Sequence, residues 1–277
     1  MSTKIIMDSA GDIKALSGVD FACVPLKIQA GDKTFVDSSP EVAEEMIDHL
    51  KTYSGTTTSA CPSVGEYIEA FGDAQEVYCV TITSGLSGSY NSAMAAAREY
   101  VDAHPERKVH VFDSLSAGPE MLLITEKIRE LIQQGLNHES IVEKVKAYQE
   151  KTRLAFSLES LRNLANNGRV SHVVAKAVGI LGLRLLGQAS DEGTLQPTGK
   201  ARGEKKVIPE MLKHLKSMGY RGGKMRITHC RNEKAATALK EALMQQFRDA
   251  DITISKTGAL CSFYAEEGGM LIGFEAA

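Results

Sequence analysis

The stretch EVYCVTITSGLSGSYNSAMAAAREY, residues 76–100, decides the fold. Its first part, Glu76–Thr83, is a short apolar run with β-branched residues, which predicts a buried strand. Its last part, Ser89–Tyr100, is rich in alanine and reads as a helix. Between them, Thr83-Ser84-Gly85-Leu86-Ser87-Gly88-Ser89-Tyr90 makes a sharp strand-to-helix turn. Such a turn aims backbone N–H groups and the positive end of a helix dipole at whatever lies above it, an arrangement that suits an anion. Its glycines allow close approach, and Ser87 and Ser89 add hydroxyls. A well-capped helix with no ligand would give the same local pattern.

The alternation continues on both sides. Lys4–Met7 and Phe21–Ile28 read as strands and Val42–Lys51 as an amphipathic helix. Lys108–Phe112 reads as a strand, Gly118–Gln134 and Asn137–Lys151 as helices, and Leu154–Phe156 as a strand leading into new territory. Strand then helix, repeated, predicts a parallel sheet. The second half predicts a short helix over Leu158–Leu164, stopped at Asn166-Asn167-Gly168 by a left-handed cap. An apolar helix over Ser171–Gly182 follows, then loops or a hairpin within Gly187–Gly203. Helices over Glu204–Met218 and Glu233–Gln246 alternate with strands at Lys224–Thr228, Ile252–Lys256 and Met270–Phe274. At roughly 150 residues per domain, the 277 residues amount to two domains, here 1–154 and 155–277.

Composition narrows the classes. With 43% hydrophobic and 24% charged residues the chain is neither disordered nor fibrous. The most apolar stretch, Val173–Leu186, is interrupted by Lys176 and Arg184, so no membrane span is expected. A first strand at Lys4 leaves no room for a secretory leader. The five cysteines lack a C-x-x-C or Cys/His grouping, which predicts neither zinc nor a disulfide framework but reduced thiols in the cytoplasm. A net charge of −3 argues against a dedicated nucleic-acid binder. Locally, however, Gly199–Lys234 carries eleven Lys and Arg against three acidic residues. That excess reads either as solvated helix and loops or as a surface for anions or an acidic partner.

A second hydroxyl cluster, Thr56-Thr57-Thr58-Ser59-Ala60-Cys61-Pro62-Ser63, is richer than a connector needs. Ser63 is explained as the cap of a helix through Phe71; Thr58 and Ser59 are not. In an open α/β sheet such loops gather at the carboxyl ends of the strands, so this cluster is expected to face the Ser87 turn. Together they would offer neutral donors to one carboxylate or phosphate without a metal. The competing enzyme reading takes Gly85-Leu86-Ser87-Gly88-Ser89 as a nucleophile elbow lacking its last glycine. It makes the chain a Ser87-dependent hydrolase or acyl transferase, with Asp113 and one of His172, His214 or His229 completing the set. Asp8-Ser9 and Asp113-Ser114 follow strands and read first as caps. Gly268-Gly269 reads as a turn and His229 as a structural histidine.

Six motifs in order make the chain resemble the DegV family of bacterial fatty-acid-binding proteins. They are Asp8-Ser9, Thr58-Ser59 with Pro62-Ser63, Ser84 through Tyr90, Asp113-Ser114, Asn167-Gly168-Arg169-Val170-Ser171, and Lys200-Ala201-Arg202. The resemblance implies a two-domain α/β protein, an N-terminal parallel-sheet Rossmann-like domain plus a C-terminal α/β sandwich domain, with one long-chain fatty acid between them. It implies a carrier without its own catalysis, a metal or a cofactor. The carrier would present the carboxylate to a separate fatty acid kinase, whose acyl phosphate product feeds phospholipid synthesis, with at most transient contact to a membrane surface. Carried over by motif, Thr58 and Ser87 would bond the carboxylate, Ser59 and Gly88 would complete the polar pocket, and Arg202 would support the carboxylate end. Arg169 would serve as a kinase contact. Two departures stand out: Cys261-Ser262-Phe263-Tyr264-Ala265-Glu266-Glu267-Gly268-Gly269 lacks the family's C-terminal histidine, with Tyr264 as the available donor, and Arg184-Leu185 replaces Lys-Pro.

Overall fold

Burial on both faces marks the first sheet. In β1 (Thr3–Asp8), Ile5 and Met7 enter one apolar cluster and Ile6 another; in β6 (Glu76–Thr81), Tyr78 and Val80 join the first and Val77 and Cys79 the second. Near-continuous apolar strands of this kind belong to parallel sheets covered on both sides. With β2 (Asp20–Val24) and β7 (Lys108–Asp113) they form a four-stranded parallel sheet in the order β2-β1-β6-β7. The order reverses between β1 and β6, and the crevice at their carboxyl ends is where open α/β sheets take ligands. A computed structural model describes residues 2–172, 175 and 183–277, the side chains of 204 and 205 excepted. The helix expected over Ser171–Gly182 lies largely outside the described residues.

A small antiparallel sheet lies beside the first, with β3 (Lys27–Ala30) between β4 (Lys33–Val36) and β5 (Thr57–Ala60). The strand expected over Phe21–Ile28 is therefore two strands in two sheets. Pro25 lies at the break and has no N–H to donate, and the next amide, Leu26 N, donates to Ser9 Oγ (2.9 Å). The hydroxyl cluster also proves to be partly strand, with Ser59 opposite Ile28.

The third sheet has six strands in the order β10-β9-β8-β13-β11-β12. These are β8 (Thr152–Leu158), β9 (Leu183–Ala189), β10 (Leu195–Arg202), β11 (Tyr220–His229), β12 (Ile252–Lys256) and β13 (Met270–Ala276). The change of sheet falls between the helix His138–Gln149 and Thr152, ahead of the expected boundary. Leu158 ends β8, and the short helix is Arg162–Asn166, with Gly168 beyond it at φ +74 as the helix stop requires. Helices Glu204–Ser217 and Glu233–Met244 cover one face of this sheet, where Val207, Met211 and Leu239 meet Met225 and Ile272. The other face looks toward the first half. There Phe156 lies over Gly187, its partner in register: a Cβ on Gly187 would stand 2.3 Å from Phe156 Cζ.

Two devices join the halves. One is ionic: Arg226 on β11, 7% exposed, pairs with Glu126 of helix Pro119–Gln133 and with Asp251, each at 2.9 Å. Arg231 pairs with Glu44 and Asp48 of helix Pro40–Thr52 at 2.7 Å each, and Lys224 pairs with Glu130. The other is helix Ala259–Ala265, which comes from the second half yet buries Leu260 and Phe263 in the first core. Its first amides donate to the buried Asp37 (Ala259 N 2.9 Å, Leu260 N 3.1 Å), and Gly258 N donates to Asp12 Oδ1 at 2.8 Å. Lys14 neutralises Asp37 at 2.9 Å. Among the described residues none hydrogen-bonds the buried Asp12 Oδ2. Burial pushes the Asp12 carboxyl up to about 7.

Among the described residues no helix is long and apolar enough to cross a membrane. Two predictions follow from the packing. Replacing Gly187 with Ala forces the Phe156 ring or the strand aside and costs about 1–3 kcal/mol, measured as a lower urea midpoint at unchanged slope. For Asp12, a raised folded pKa means the folded state holds the proton longer than the unfolded chain, so its ionisation opposes folding as pH rises from about 4 through 7. Asp12→Asn therefore stabilises the protein at pH 8 by about 1–2 kcal/mol, and the gain fades toward pH 5 in urea titrations at each pH.

Candidate functional site

The turn after β6 is braced from several sides. Asp8 Oδ2, at the carboxyl end of β1, accepts Ile82 N (2.9 Å) and the Ser89 hydroxyl (2.6 Å), while Asp8 Oδ1 accepts Ala10 N (3.2 Å). Burial raises the Asp8 carboxyl to about 6. Ser89 also meets the Tyr67 hydroxyl at 2.6 Å. Asp113 Oδ1 accepts Ser84 N and Leu115 N, each at 3.1 Å. Thr83 Oγ1 accepts Gly85 N (3.1 Å), Thr83 O accepts Leu86 N and Ser87 N, and Ser87 Oγ accepts Ser89 N at 3.3 Å. Asp8 and Asp113 thus fix strand ends and turns, as caps do, and most amides of the turn are spent inside it. What the turn offers a ligand is chiefly the Ser87 side chain.

Three further side chains converge there. In β5 successive residues face opposite sides, which points Ser59 inward and leaves Thr58 exposed. The Ser59 hydroxyl meets the Tyr264 hydroxyl at 2.7 Å. Arg169, brought in by the Gly168 helix stop, donates from Nε to Leu86 O (3.2 Å) and from Nη1 to Asn167 O (2.5 Å). Its guanidinium lies 5.7 Å from the Tyr264 ring centroid. Burial raises the Tyr264 pKa, against the lowering effects of Ser59 and Arg169, so the phenol stays protonated as a donor.

Below these groups lies a narrow, mostly apolar cavity, the kind of concave space in which small molecules bind. Alternate residues of β8, Leu154, Phe156 and Leu158, form one wall, and Leu26, Leu260 and Leu271 contribute to others. Ser59, Ser87, Tyr264 and Arg169 all line it, and among the described lining residues Arg169 alone is charged. No described carboxylate lies within ion-pair distance of Arg169. An apolar chamber with hydroxyls and one uncompensated cation suits a long apolar molecule with an anionic end.

Of the expected site residues, the structure brings Ser59, Ser87 and Arg169 together. Thr58, Gly88 and Arg202 stand apart from the cavity wall. Strand alternation turns Thr58 outward and Ser59 inward. Gly88 is exposed at the start of helix Ser89–Ala103, where a Cβ would face Cys61 Sγ at 3.3 Å. Arg202 is exposed and pairs with Leu183, seven residues and roughly 20 Å along β10 from the cavity-lining Leu195. For the hydrolase reading, no histidine hydrogen-bonds Ser87 among the described residues. His214 meets Thr198 (3.3 Å) and His229 Nδ1 accepts Asn232 N (3.1 Å), both within the second half.

The model of the DegV family, whose description reads "Uncharacterised protein, DegV family", matches residues 2–277. The DegV domain-containing protein spr0652 of Streptococcus pneumoniae is 44% identical over 279 residues, covering 99% of each chain. Two solved structures are as similar. One is a DegV family protein of Eubacterium eligens loaded with heptadecanoic acid, with TM-score 0.97 and 44% identity over 99% of this chain and 100% of that one. The other is the Streptococcus pneumoniae Fatty Acid Kinase (Fak) B3 protein loaded with linoleic acid, with TM-score 0.98 and 44% identity over 100% of both chains. Matched along its whole described sheet architecture and nearly every residue, the chain belongs to the DegV family.

Proposed function

We propose that this protein is a cytoplasmic carrier that encloses one long-chain fatty acid and presents its carboxylate to a separate fatty acid kinase. The observation that carries the reading is the apolar cavity whose single charged lining residue, Arg169, has no acidic partner among the described residues. Arg169 and the hydroxyls of Ser59, Ser87 and Tyr264 orient the carboxylate, and the leucine-lined chamber takes the tail. Each buried methylene contributes about 0.8 kcal/mol before the costs of association. The heptadecanoic and linoleic acids held by the two similar structures support the ligand class, and the kinase in the name of the second supports the partner. Arg169, held against Leu86 and Tyr264, acts at the carboxylate in place of Arg202. Phosphoryl transfer to that carboxylate is the kinase's chemistry; the carrier's part is to keep the chain dry and the head at the mouth.

Mild solvent extraction of the purified protein followed by mass spectrometry is expected to recover close to one long-chain fatty acid per chain. Protein that is consistently empty and takes up no added fatty acid would falsify the proposal. In lipid-exchange titrations, Ser59→Ala and Ser87→Ala each weaken binding by about 1–3 kcal/mol, as expected for a lost charge-assisted bond. Thr58→Ala binds like the unaltered protein. Equal affinity in all three variants rejects the hydroxyl assignment.

A further inference from the structure

The wall that the first half supplies around Ser87 is tied together. Thr83 N donates to Ser116 O (2.8 Å), and Asp113 Oδ1 accepts both Ser84 N and Leu115 N (3.1 Å each), so the Ser87 turn and the loop after β7 form one frame. Leu115 is held in that frame at φ +51, in the left-handed region that a leucine seldom adopts. The facing wall comes from the second half. It is the tip of the β9–β10 hairpin, Ser190–Thr194, whose Gly193 and Thr194 line the cavity together with Thr83 and Ser87.

The two walls meet through a glycine on each side. A Cβ on Gly85 would stand 2.8 Å from Glu192 O and 3.2 Å from Thr194 Cγ2, and one on Gly193 would overlap Thr83 Oγ1 and stand 2.9 Å from Leu115 Cα. The seam is close, yet among the described residues no hydrogen bond or ion pair crosses it from the tip. The tip bonds to itself instead: Ser190 Oγ accepts Glu192 N (3.3 Å) and Thr194 N (3.1 Å), Ser190 N donates to Thr194 O (2.8 Å), and Gly193 N donates to Ser190 O (2.9 Å). It also overhangs its sheet. β9 pairs with β8 only as far as Gln188, opposite Ala155, whereas its pairing with β10 runs on to Ala189 and Leu195. A unit bonded within itself, lacking a third strand beside it and touching its neighbour by packing alone, moves away without breaking a hydrogen bond.

Resting on the fatty-acid reading, we propose that the hairpin tip Ser190–Thr194 is a door over the carboxylate end of the cavity. It lifts from Gly85 and Leu115 when a fatty acid is taken up or given up, and it seats again over the bound head. The fixed frame is the jamb and the overhanging tip is the leaf. Seated, the tip keeps water from the hydroxyls that hold the carboxylate, and its opening limits exchange.

The test follows binding of cis-parinaric acid, a fluorescent polyene fatty acid, to lipid-stripped protein by stopped flow, and its release to excess albumin. Gly85→Ala drives a methyl group against the Glu192 carbonyl and unseats the tip, so uptake and release accelerate together, by about tenfold for a clash of ordinary overpacking size. A lost ligand contact speeds release alone. Gly199→Ala, on β10 with open space around it, leaves both rates unchanged. The converse is a lock: Gly85→Cys combined with Glu192→Cys places two thiols across the seam within disulfide reach. Oxidised after loading, this pair is expected to retain the ligand until dithiothreitol is added. Should Gly85→Ala fail to fold, the lock decides. Rates unchanged in Gly85→Ala, release accelerated alone, a pair that does not cross-link, or a cross-linked pair that exchanges like the unaltered protein each overturns the door. An unaltered protein that binds neither parinaric acid nor any other long-chain acid overturns the fatty-acid reading itself.

Discussion

A charged group beside a dry chamber needs a partner, and the form of this protein's interior follows from where that requirement is left open. Arg169 is fixed by two backbone carbonyls and the Tyr264 ring, none of which neutralises it. Other buried charges are held by several groups each. Asp8 is held by two amides and the Ser89 hydroxyl, Asp37 by Lys14 and the start of a helix, Arg226 by two acids. Among the described residues Arg169 is the one charged group on the wall of a mostly apolar cavity. The hydroxyls of Ser59, Ser87 and Tyr264 add direction without adding charge.

Much of this was legible in the order of residues. The alternation of apolar strand and amphipathic helix gave the parallel sheet, and the glycine- and serine-rich turn marked the crevice. The failures have local physical causes. A run of hydroxyls does not declare which of its members faces inward, because strand register is set by pairing with Lys27–Ala30, far off in sequence. Arg202, expected to support the carboxylate end, is exposed at the end of β10, a position set by the pairing of that strand with β9. Helix Ala259–Ala265 escaped notice because seven residues buried on nearly every side show no amphipathic period. The cavity wall itself was present as Leu154, Phe156 and Leu158, a two-residue period that marks a strand but not the hollow beside it.

The basic excess near the middle of the second half resolves into two populations. Lys224, Arg226 and Arg231 are spent on acids of helices Pro119–Gln133 and Pro40–Thr52, which makes them inter-half fasteners. Lys200, Arg202, Lys206, Lys213 and Lys216 remain exposed on β10 and helix Glu204–Ser217. The local composition thus mixed packing with surface, and the two separate only when the third dimension supplies the partners.

Ala259, Leu260 and Phe263, with the partly buried Tyr264 against them, complete an apolar cluster whose other members come from the first half of the chain. During synthesis that half emerges long before its last core residues do, and translation of more than a hundred residues separates them. Until then the apolar cluster of the first half lacks part of its cover. A chain truncated ahead of Ala259 lacks these residues and leaves the apolar cluster they cover open to water.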